Sequence, residues 1–445
     1  MQKFCCVPSA SSWARKMRIE GAPDGAGPRD AAPASPWRVL IYRINYAPEP
    51  IRVGRYSGEI GAYLTGQGVK VEVVTAIPHY PGWSVRSGYC NRFMVENDGR
   101  IRINRCPILL GREIRGIWRL LAPLSFAVTS APVALWRILA FRPDVVLCVE
   151  PTLLAAPAAL TAAWLMGART VLHVQDLEVD AAFAVHHLRG KFLRKLALGL
   201  ERFILRRFDD VITISNRMRE RLAQKGVSLA RITLVRNWVD LEKIRPLADV
   251  SGYRAELGIP PNKFIALYAG NVGVKQALPV VFEAAARLVD NPSILFVIVG
   301  DGPEKPHLLE RFGHLSNVRF LPVQPEERLC ELLNLASVHL LPQDAGAADL
   351  VLPSKLGGML ASGKPCIVMA DPGTELHEFV SDSATMLRPG DYAQLIDAIL
   401  SIHQKGPSKS DANVLVRARA FDSCQNLSAF RTALCFNANS IQKAG

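Results

Sequence analysis

From residue 38 onward, short apolar runs alternate with stretches whose apolar positions recur at helical spacing. "RVLIYRIN" reads as a strand, "VGRYSGEIGAYLTGQG" as an amphipathic helix closed by glycines, and "VKVEVVTA" as the next strand. "DVVLCVE" and "RTVLHVQD" follow, then a long basic helix over about 190–207, the strand "DVITIS", the helix "MRERLAQKG" and the strand "ITLVRN". Strands of this length separated by helices predict βαβ units in a parallel, doubly wound sheet. Around "WVDLEKIRPLADVSGYRAELGIPPNK" polar and proline residues accumulate, placing a boundary near 240–262. The alternation then restarts with "FIALYAGNVG", a helix over 277–290, "ILFVIVGDG", a helix over 303–312, "VRFLPV", a helix over 325–335, "VHLLPQ" and "CIVMA". The reading is α/β: an extension over 1–37, one Rossmann-like domain over 38–243, a second over 251–410, and a helical segment over 411–445. Facing domains of this type bind ligands in a cleft beyond the C-terminal ends of their strands.

Charge changes this picture more than composition does. The 445 residues carry a formal +13, distributed as +2 over 1–37, +14 over 38–245 and −3 over 246–445. A basic first half implies an anionic partner such as a membrane surface or a phosphorylated acceptor. No recognised nucleic-acid motif accompanies the charge, so nucleic acid is not expected. Nine scattered cysteines with no C-x-x-C pair fit a reduced, cytoplasmic chain. Two uncharged runs, Leu120–Trp136 and Pro151–Ala168, approach spanning length, but prolines interrupt both, and buried or interfacial helices are expected. The basic, apolar "GREIRGIWRLLAPLSF" fits a membrane-surface element.

The candidate chemistry lies just after predicted strands. "NYAPEPIRVGRYSGE" is not the G-x-G-x-x-G fingerprint, which weighs against an NAD-dependent enzyme. Gly54 there either admits a ligand close to backbone or makes a plain strand–helix turn. In "YAGNVGVKQAL", Gly270 and Gly273 keep a loop free of side chains and Lys275 offers an ammonium at a helix start, a pattern suited to phosphate. "VIVGDGPEKPHL", with Asp301 and Gly302, repeats the arrangement. In "DLVLPSKLGGMLASGKP", Pro353, Ser354 and Lys355 read as the first turn of another helix, with Gly357 and Gly358 letting it lie close to neighbouring backbone or ligand. In the first domain His173 and Asp176 end the strand "TVLHVQD", and a pair of polar groups at a cleft mouth fits catalysis. The loop "PHYPGWSVRSGY", with His79, Tyr80 and Trp83, suits stacking on a sugar ring, or packing on itself. There is no acidic D-x-D after a strand, no H-x-x-x-H and no Cys cluster, so no metal is expected.

Taken together, "INYAPEPIRVGRYSGE", "PHYPGWSVRSGY", "HVQDLEVD", "GNVGVKQAL", "VGDGPE" and "LPSKLGGMLASGKP" resemble glycosyltransferase family 4 over residues 38–425. The likeness is strongest to the colanic acid-type fucosyltransferase and aminosugar transferase relatives. It implies the GT-B architecture, a nucleotide-sugar donor held by the second domain, retention of anomeric configuration and no metal cofactor. It places Lys275 on the donor diphosphate, Gly270 and Gly273 in its loop, Asp301 and Gly302 near the nucleotide, and Val323 of "FLPVQ" beside the base. Gly54 would face the donor, and His173 or Asp176 the reacting sugar.

Two departures stand out. Many relatives carry E-x7-E in the "LPSKL" region, and alignment on "SGKP" puts Leu350 and Gly358 at those positions. Arg52 stands where these relatives have a glycine. The expected activity is sugar transfer to a lipid-diphosphate-linked or oligosaccharide acceptor in exopolysaccharide or O-antigen assembly, peripheral at the inner face of the cytoplasmic membrane. A nucleotide-sugar 2-epimerase, or a non-catalytic sugar-nucleotide-binding protein, are the alternatives.

Overall fold

A computed structural model describes residues 37–49, 53–80, 82–111, 118–151, 153–177, 191–345, 352–406 and 412–435. Arg52, Leu350, the extension before residue 37, and parts of the 111–126 and "HVQDLEVD" stretches lie outside the described residues. The chain divides into two compact units. The first comprises the chain to Ile214, Arg219–Val235 and the stretch from Ala429; the second comprises Ser215–Met218 and Arg236–Ser428.

The first unit is built on an eight-stranded sheet in the order β3-β4-β2-β1-β5-β6-β7-β8. Its strands are β1 (Arg38–Tyr42), β2 (Lys70–Ala76), β3 (Met94–Asp98), β4 (Ile101–Cys106), β5 (Val145–Val149), β6 (Arg169–Val174), β7 (Asp210–Thr213) and β8 (Ile232–Leu234). All pair in parallel except β3, which runs antiparallel to β4 at the edge. The central β1 and β5 are almost wholly buried, so they read as continuous apolar runs rather than alternating ones. Four helices matter below: α1 (Val53–Gly66), α2 (Trp118–Phe141), α3 (Ala156–Met166) and α4 (Lys191–Leu205).

Leu121–Phe141 is long and apolar enough to cross a membrane by length and composition. In the fold, α2 docks one face on the sheet through Ala122, Phe126, Ala134 and Ile138. The Ser130 and Tyr42 hydroxyls meet at 2.6 Å on that face. Arg137 completes it with a two-pronged bond to Glu72 of β2, 2.8 and 2.5 Å. Leu124, Val128, Trp136 and Leu139 are exposed on α2.

The second unit has six parallel strands in the order β11-β10-β9-β12-β13-β14. They are β9 (Phe264–Ala269), β10 (Ile294–Val299), β11 (Val318–Leu321), β12 (Val338–Leu341), β13 (Cys366–Met369) and β14 (Thr385–Leu387). Helix α5 (Pro279–Arg287) packs Phe282 into a stack with Phe312 and Phe320, ring centres 5.0 and 5.5 Å away. The helix expected over 277–290 is therefore shorter: Ala277 turns left-handed at φ 45°, and the helix begins at Pro279.

The helix expected from Pro353 also starts later. Its regular turns are α6 (Leu356–Ala361), with Lys355 as N-cap, and Gly363 at φ +67° ends the run. The final helix, α7 (Ser423–Cys435), passes from one unit to the other, and from Ala429 it belongs to the first. There Arg169 donates to the Leu434 carbonyl at 2.7 Å.

Candidate active site

Open parallel sheets create a crevice where the strand order reverses direction. In the second unit that reversal falls between β9 and β12. The loops after β9 and β10 are zipped together there by backbone. Gly270 N–H donates to Val299 O and Val272 N–H to Asp301 O, both at 2.9 Å, and Glu304 N–H to Val272 O at 3.1 Å. A Cβ on Gly300 would sit 1.8 Å from Gly270 O, and one on Gly302 would sit 2.2 Å from Val272 O. Both glycines also have φ near +150°. Gly302 is thus needed for loop-to-loop contact, a different reason from the side-chain-free phosphate loop the sequence pattern implied. Asp301 is exposed, and its Oδ1 accepts from Gly302 N–H at 3.0 Å.

Lys275 lies in a single 3-10 turn, Val274–Gln276, with Gly273 before it, rather than at the start of a helix. It is exposed, and its ammonium makes no ion pair among the described residues. Its carbonyl accepts from Asp344 N–H at 3.1 Å, which fastens the turn to the segment after β12.

Lys355 is brought to the same place from a distant part of the chain. Its Nζ lies 3.8 Å from the centre of the Tyr268 ring, near the end of β9. A Cβ on Gly270 would be 3.4 Å from that Nζ, so the glycine leaves room for the lysine. Nζ is buried and has no hydrogen-bond partner among the described residues. Burial without a counter-charge pulls the amine down to about 7. Pro353 is half-buried and Ser354 exposed beside it. Gly357 and Gly358 face core side chains, Phe421 and Leu333, each with an atom 3.1 Å from the would-be Cβ, so they accommodate packing rather than backbone or ligand. Val323 is exposed beyond β11, the edge strand, two strands from the reversal. The sequence reading missed Tyr268, because an aromatic at the end of an apolar run is indistinguishable from core.

In the first unit the reversal lies between β1 and β5. Glu49, also missed, organises one side of it. Its buried Oε1 accepts from the backbone N–H groups of His79 and Tyr80, both at 2.9 Å. A Cβ on Gly54 would lie 2.9 Å from the Glu49 Cβ, so Gly54 makes room for that side chain. The His79 ring is buried, its Nδ1 2.8 Å from Ile77 O, and it stands edge-on to half-buried Trp83 at 6.0 Å. Gly54, His79, Tyr80 and Trp83 are therefore one assembly around one carboxylate.

His173 and Asp176 are not brought together. His173 is buried, its Nε2 3.0 Å from the Gln175 amide nitrogen and its ring edge-on to Phe430 at 4.9 Å. Burial, reinforced by the charge of Arg43, drives its pKa to about 3, so it is a neutral imidazole. Arg43, just past β1, is 1 % exposed, and burial lowers its guanidinium to about 9 against the opposing pull of Glu49. Asp176 faces solvent and accepts from Leu177 N–H at 2.9 Å. Among the described residues no group of three or more His, Cys, Asp or Glu is placed to hold a metal ion.

Two family models match this chain, a glycosyl transferase 4-like domain over residues 53–238 and glycosyl transferases group 1 over 263–405. It is 40 % identical over 347 residues to WcaI of Escherichia coli strain K12, named as a colanic acid biosynthesis glycosyl transferase, spanning 76 % of this chain and 84 % of that one. The chain belongs to the family 4 glycosyltransferases. It is a transferase enzyme, and its two parallel-sheet units match solved GT-B structures. Sucrose-phosphate synthase of Thermosynechococcus elongatus aligns with TM-score 0.68 at 16 % identity, covering 91 % of this chain and 100 % of that one. HepE of Anabaena, solved with UDP and glucose, aligns with TM-score 0.62 at 15 % identity, covering 89 % and 99 %.

Proposed function

We propose that this glycosyltransferase moves a sugar from a nucleoside-diphosphate donor to a lipid-diphosphate-linked glycan, with retention of configuration, during assembly of a colanic acid-like polysaccharide. The observation that carries this reading is the β9/β12 reversal of the second unit. Two lysines from separate parts of the chain, Lys275 and Lys355, flank the Gly270 loop there, and neither has an anionic partner among the described residues. In the reaction an acceptor hydroxyl oxygen bonds to the anomeric carbon as the bond to the diphosphate oxygen breaks. The electron pair stays on the leaving diphosphate, and the hydroxyl proton passes to a phosphate oxygen. Negative charge grows on that diphosphate, so a cation already in place lowers the barrier. Removing one such preorganised group typically costs about 2.7–4 kcal/mol. No metal is invoked, because the lysines supply the charge.

Asp301 and Gly302 would then border the nucleotide, with Val323 toward the base. Gly54 and the Glu49-pinned loop of His79, Tyr80 and Trp83 would serve the sugar and acceptor side. Asp176, which faces solvent, is the member of the expected pair open to the reacting sugar, whereas His173 is buried against Gln175 and Phe430. HepE's complex with UDP and glucose supports a nucleotide-sugar donor. WcaI supports the polysaccharide, and the sequence resemblance to fucosyltransferase relatives makes fucosyl donors the first to try.

An anionic membrane surface at the inner face fits the first unit. Helix α4 exposes Leu196, Leu200 and Phe203 at helical spacing, among exposed Arg194, Lys195, Arg202, Arg206 and Arg207. Its one acid, Glu201, is buried on Lys225. Trp164 of α3 is 79 % exposed. An apolar stripe framed by cations is the pattern of a helix lying on anionic lipid. Thermal-shift screening of nucleoside-diphosphate sugars, followed by turnover of the hits on bacterial lipid extracts, tests the whole reading. Donor consumption only in the presence of lipid, with label recovered in the lipid phase, is expected. Epimerised donor without any acceptor would replace transfer by epimerisation.

A further inference from the structure

An ammonium taken out of water needs either a counter-charge or deprotonation. Lys355 has no counter-charge among the described residues: its Nζ is buried, bonded to nothing, and rests on the face of Tyr268. Aromatic faces attract cations, but not enough to replace hydration or a carboxylate. The other titratable group near it, His339 on β12, is itself buried and neutral, and the charges of Lys355 and Lys364 both disfavour its protonation. The Tyr268 hydroxyl does not relieve the amine, since it donates to Asn271 O at 2.5 Å. Lys275 differs: it is exposed to solvent.

We propose that Lys355 is a proton-coupled ligand for the donor diphosphate, resting as a neutral amine on Tyr268 without donor and becoming an ammonium when the diphosphate enters. The inference rests on the donor site proposed above and adds the chemistry of its second cation. A dianionic group at the Gly270 loop supplies the missing counter-charge, and a proton is drawn from solvent onto Nζ as it binds. The flexible lysine stem lets Nζ leave the ring face without moving backbone. Burial lowers the free amine to about 7, so above neutral pH most of that proton must be taken up at the moment of binding. Donor affinity then weakens as pH rises from about 7, in a range where an exposed lysine would still be fully charged.

Isothermal titration of the full-length chain with UDP and GDP, at pH 8 in two buffers of different ionisation enthalpy, reads this directly. The terminal phosphate, with a second pKa of about 6, is already ionised there, so a proton taken up belongs to the protein. Wild type should take up close to one proton per ligand bound. Lys355→Met should take up none and bind at least tenfold more weakly. Lys355→Arg, which keeps its charge, should bind within a fewfold of wild type and also take up none. Proton uptake persisting in Lys355→Met, or wild-type affinity in that variant, overturns the inference. If Lys275→Ala loses nucleotide while Lys355→Met does not, this inference alone falls. If wild type binds no nucleoside diphosphate, the proposed donor site falls and takes the inference with it.

Discussion

The two units share a sheet logic but hold their strand ends in different ways. In the first, buried charge is locked into side-chain pairs: Arg137 with Glu72, Arg169 with Asp210, and Lys225 with Glu201. In the second, the strand ends at the reversal are joined by backbone hydrogen bonds across glycines; Arg236–Glu375 is mostly buried, but Arg311–Glu283, Arg328–Glu256 and Arg417–Asp382 lie at the surface. The difference bears on function. A unit whose buried cations are already paired has little charge to lend to a ligand. One that closes its loops with backbone can keep a lysine unpaired.

The sharpest way to break this contrast is at Gly300. A Cβ there lands 1.8 Å from a backbone oxygen that cannot move without opening the β9–β10 loop junction. Gly300→Ala should cost the second unit more than about 4 kcal/mol, the range of exceptional single substitutions. Hydrogen exchange resolved by strand should show β9 and β10 losing protection while β1 and β5 keep theirs. Equal loss in both units would mean that they do not differ as described.

The reciprocal test removes a paired charge from the first unit. Arg137→Met leaves Glu72 buried without its two-pronged partner, and such a break costs about 3 kcal/mol or more. Adding Glu72→Leu should recover most of the loss, because an apolar pair of similar volume replaces a buried ion pair at little cost. Denaturant midpoints of the two single variants and the double variant measure the coupling. Additive losses would show that the pair contributes nothing as a pair.

Acid should expose a feature the units share. His173 and His339 are both buried and held near pKa 3, chiefly by burial. Each folded-state value lies below the unfolded one, so the unfolded chain binds more protons between about pH 6.5 and 3. Stability is therefore complete above about 6.5 and falls as pH drops toward 3. At pH 5 each histidine accounts for about 2 kcal/mol, from 1.36 kcal/mol per pH unit. His173→Phe should flatten the acid limb for the first unit alone, read from stability against pH with exchange at β5 and β10 as separate reporters.

Much of this was legible in sequence because long βαβ rhythm is a strong signal: the parallel strands and the loops at their C-terminal ends follow from apolar spacing, whereas the units divide at Val235–Arg236, before the expected 240–262. The antiparallel edge was overlooked although "ENDGRI" carries its turn. Gly99-Arg100 joins β3 to β4 with Gly99 at φ +59°, the conformation that glycine supplies in such hairpins. Other misses have a different cause. Glu49, Arg43 and Tyr268 act through contacts with residues far along the chain, and no local pattern separates a carboxylate that pins a loop from one that faces water. The passage of α7 into the first unit is likewise set by long-range partners, Arg169 and His173, that spacing cannot name.

The smallest effect concerns the two glycines of α6, where relatives carry a carboxylate and this chain has Gly358. The neighbour of a Cβ at Gly358 is the tip of Leu333, which can rotate away, whereas at Gly357 it is the Cβ and Cγ of Phe421. That ring is held edge-on to Phe379 at 5.4 Å, and its root moves only with backbone. Alanine gains about 1 kcal/mol over glycine in a helix interior. Gly358→Ala should keep part of that gain and leave stability level or slightly raised. Gly357→Ala should forfeit it and lose about 1 kcal/mol, at the low end of the cost of overpacking. Thermal midpoints of the two variants decide it. If Gly358→Ala is the more damaging, the glycine is required by packing. If it is neutral, the backbone at this position tolerates a side chain, and the absent carboxylate reflects how this enzyme holds its donor rather than a lack of room.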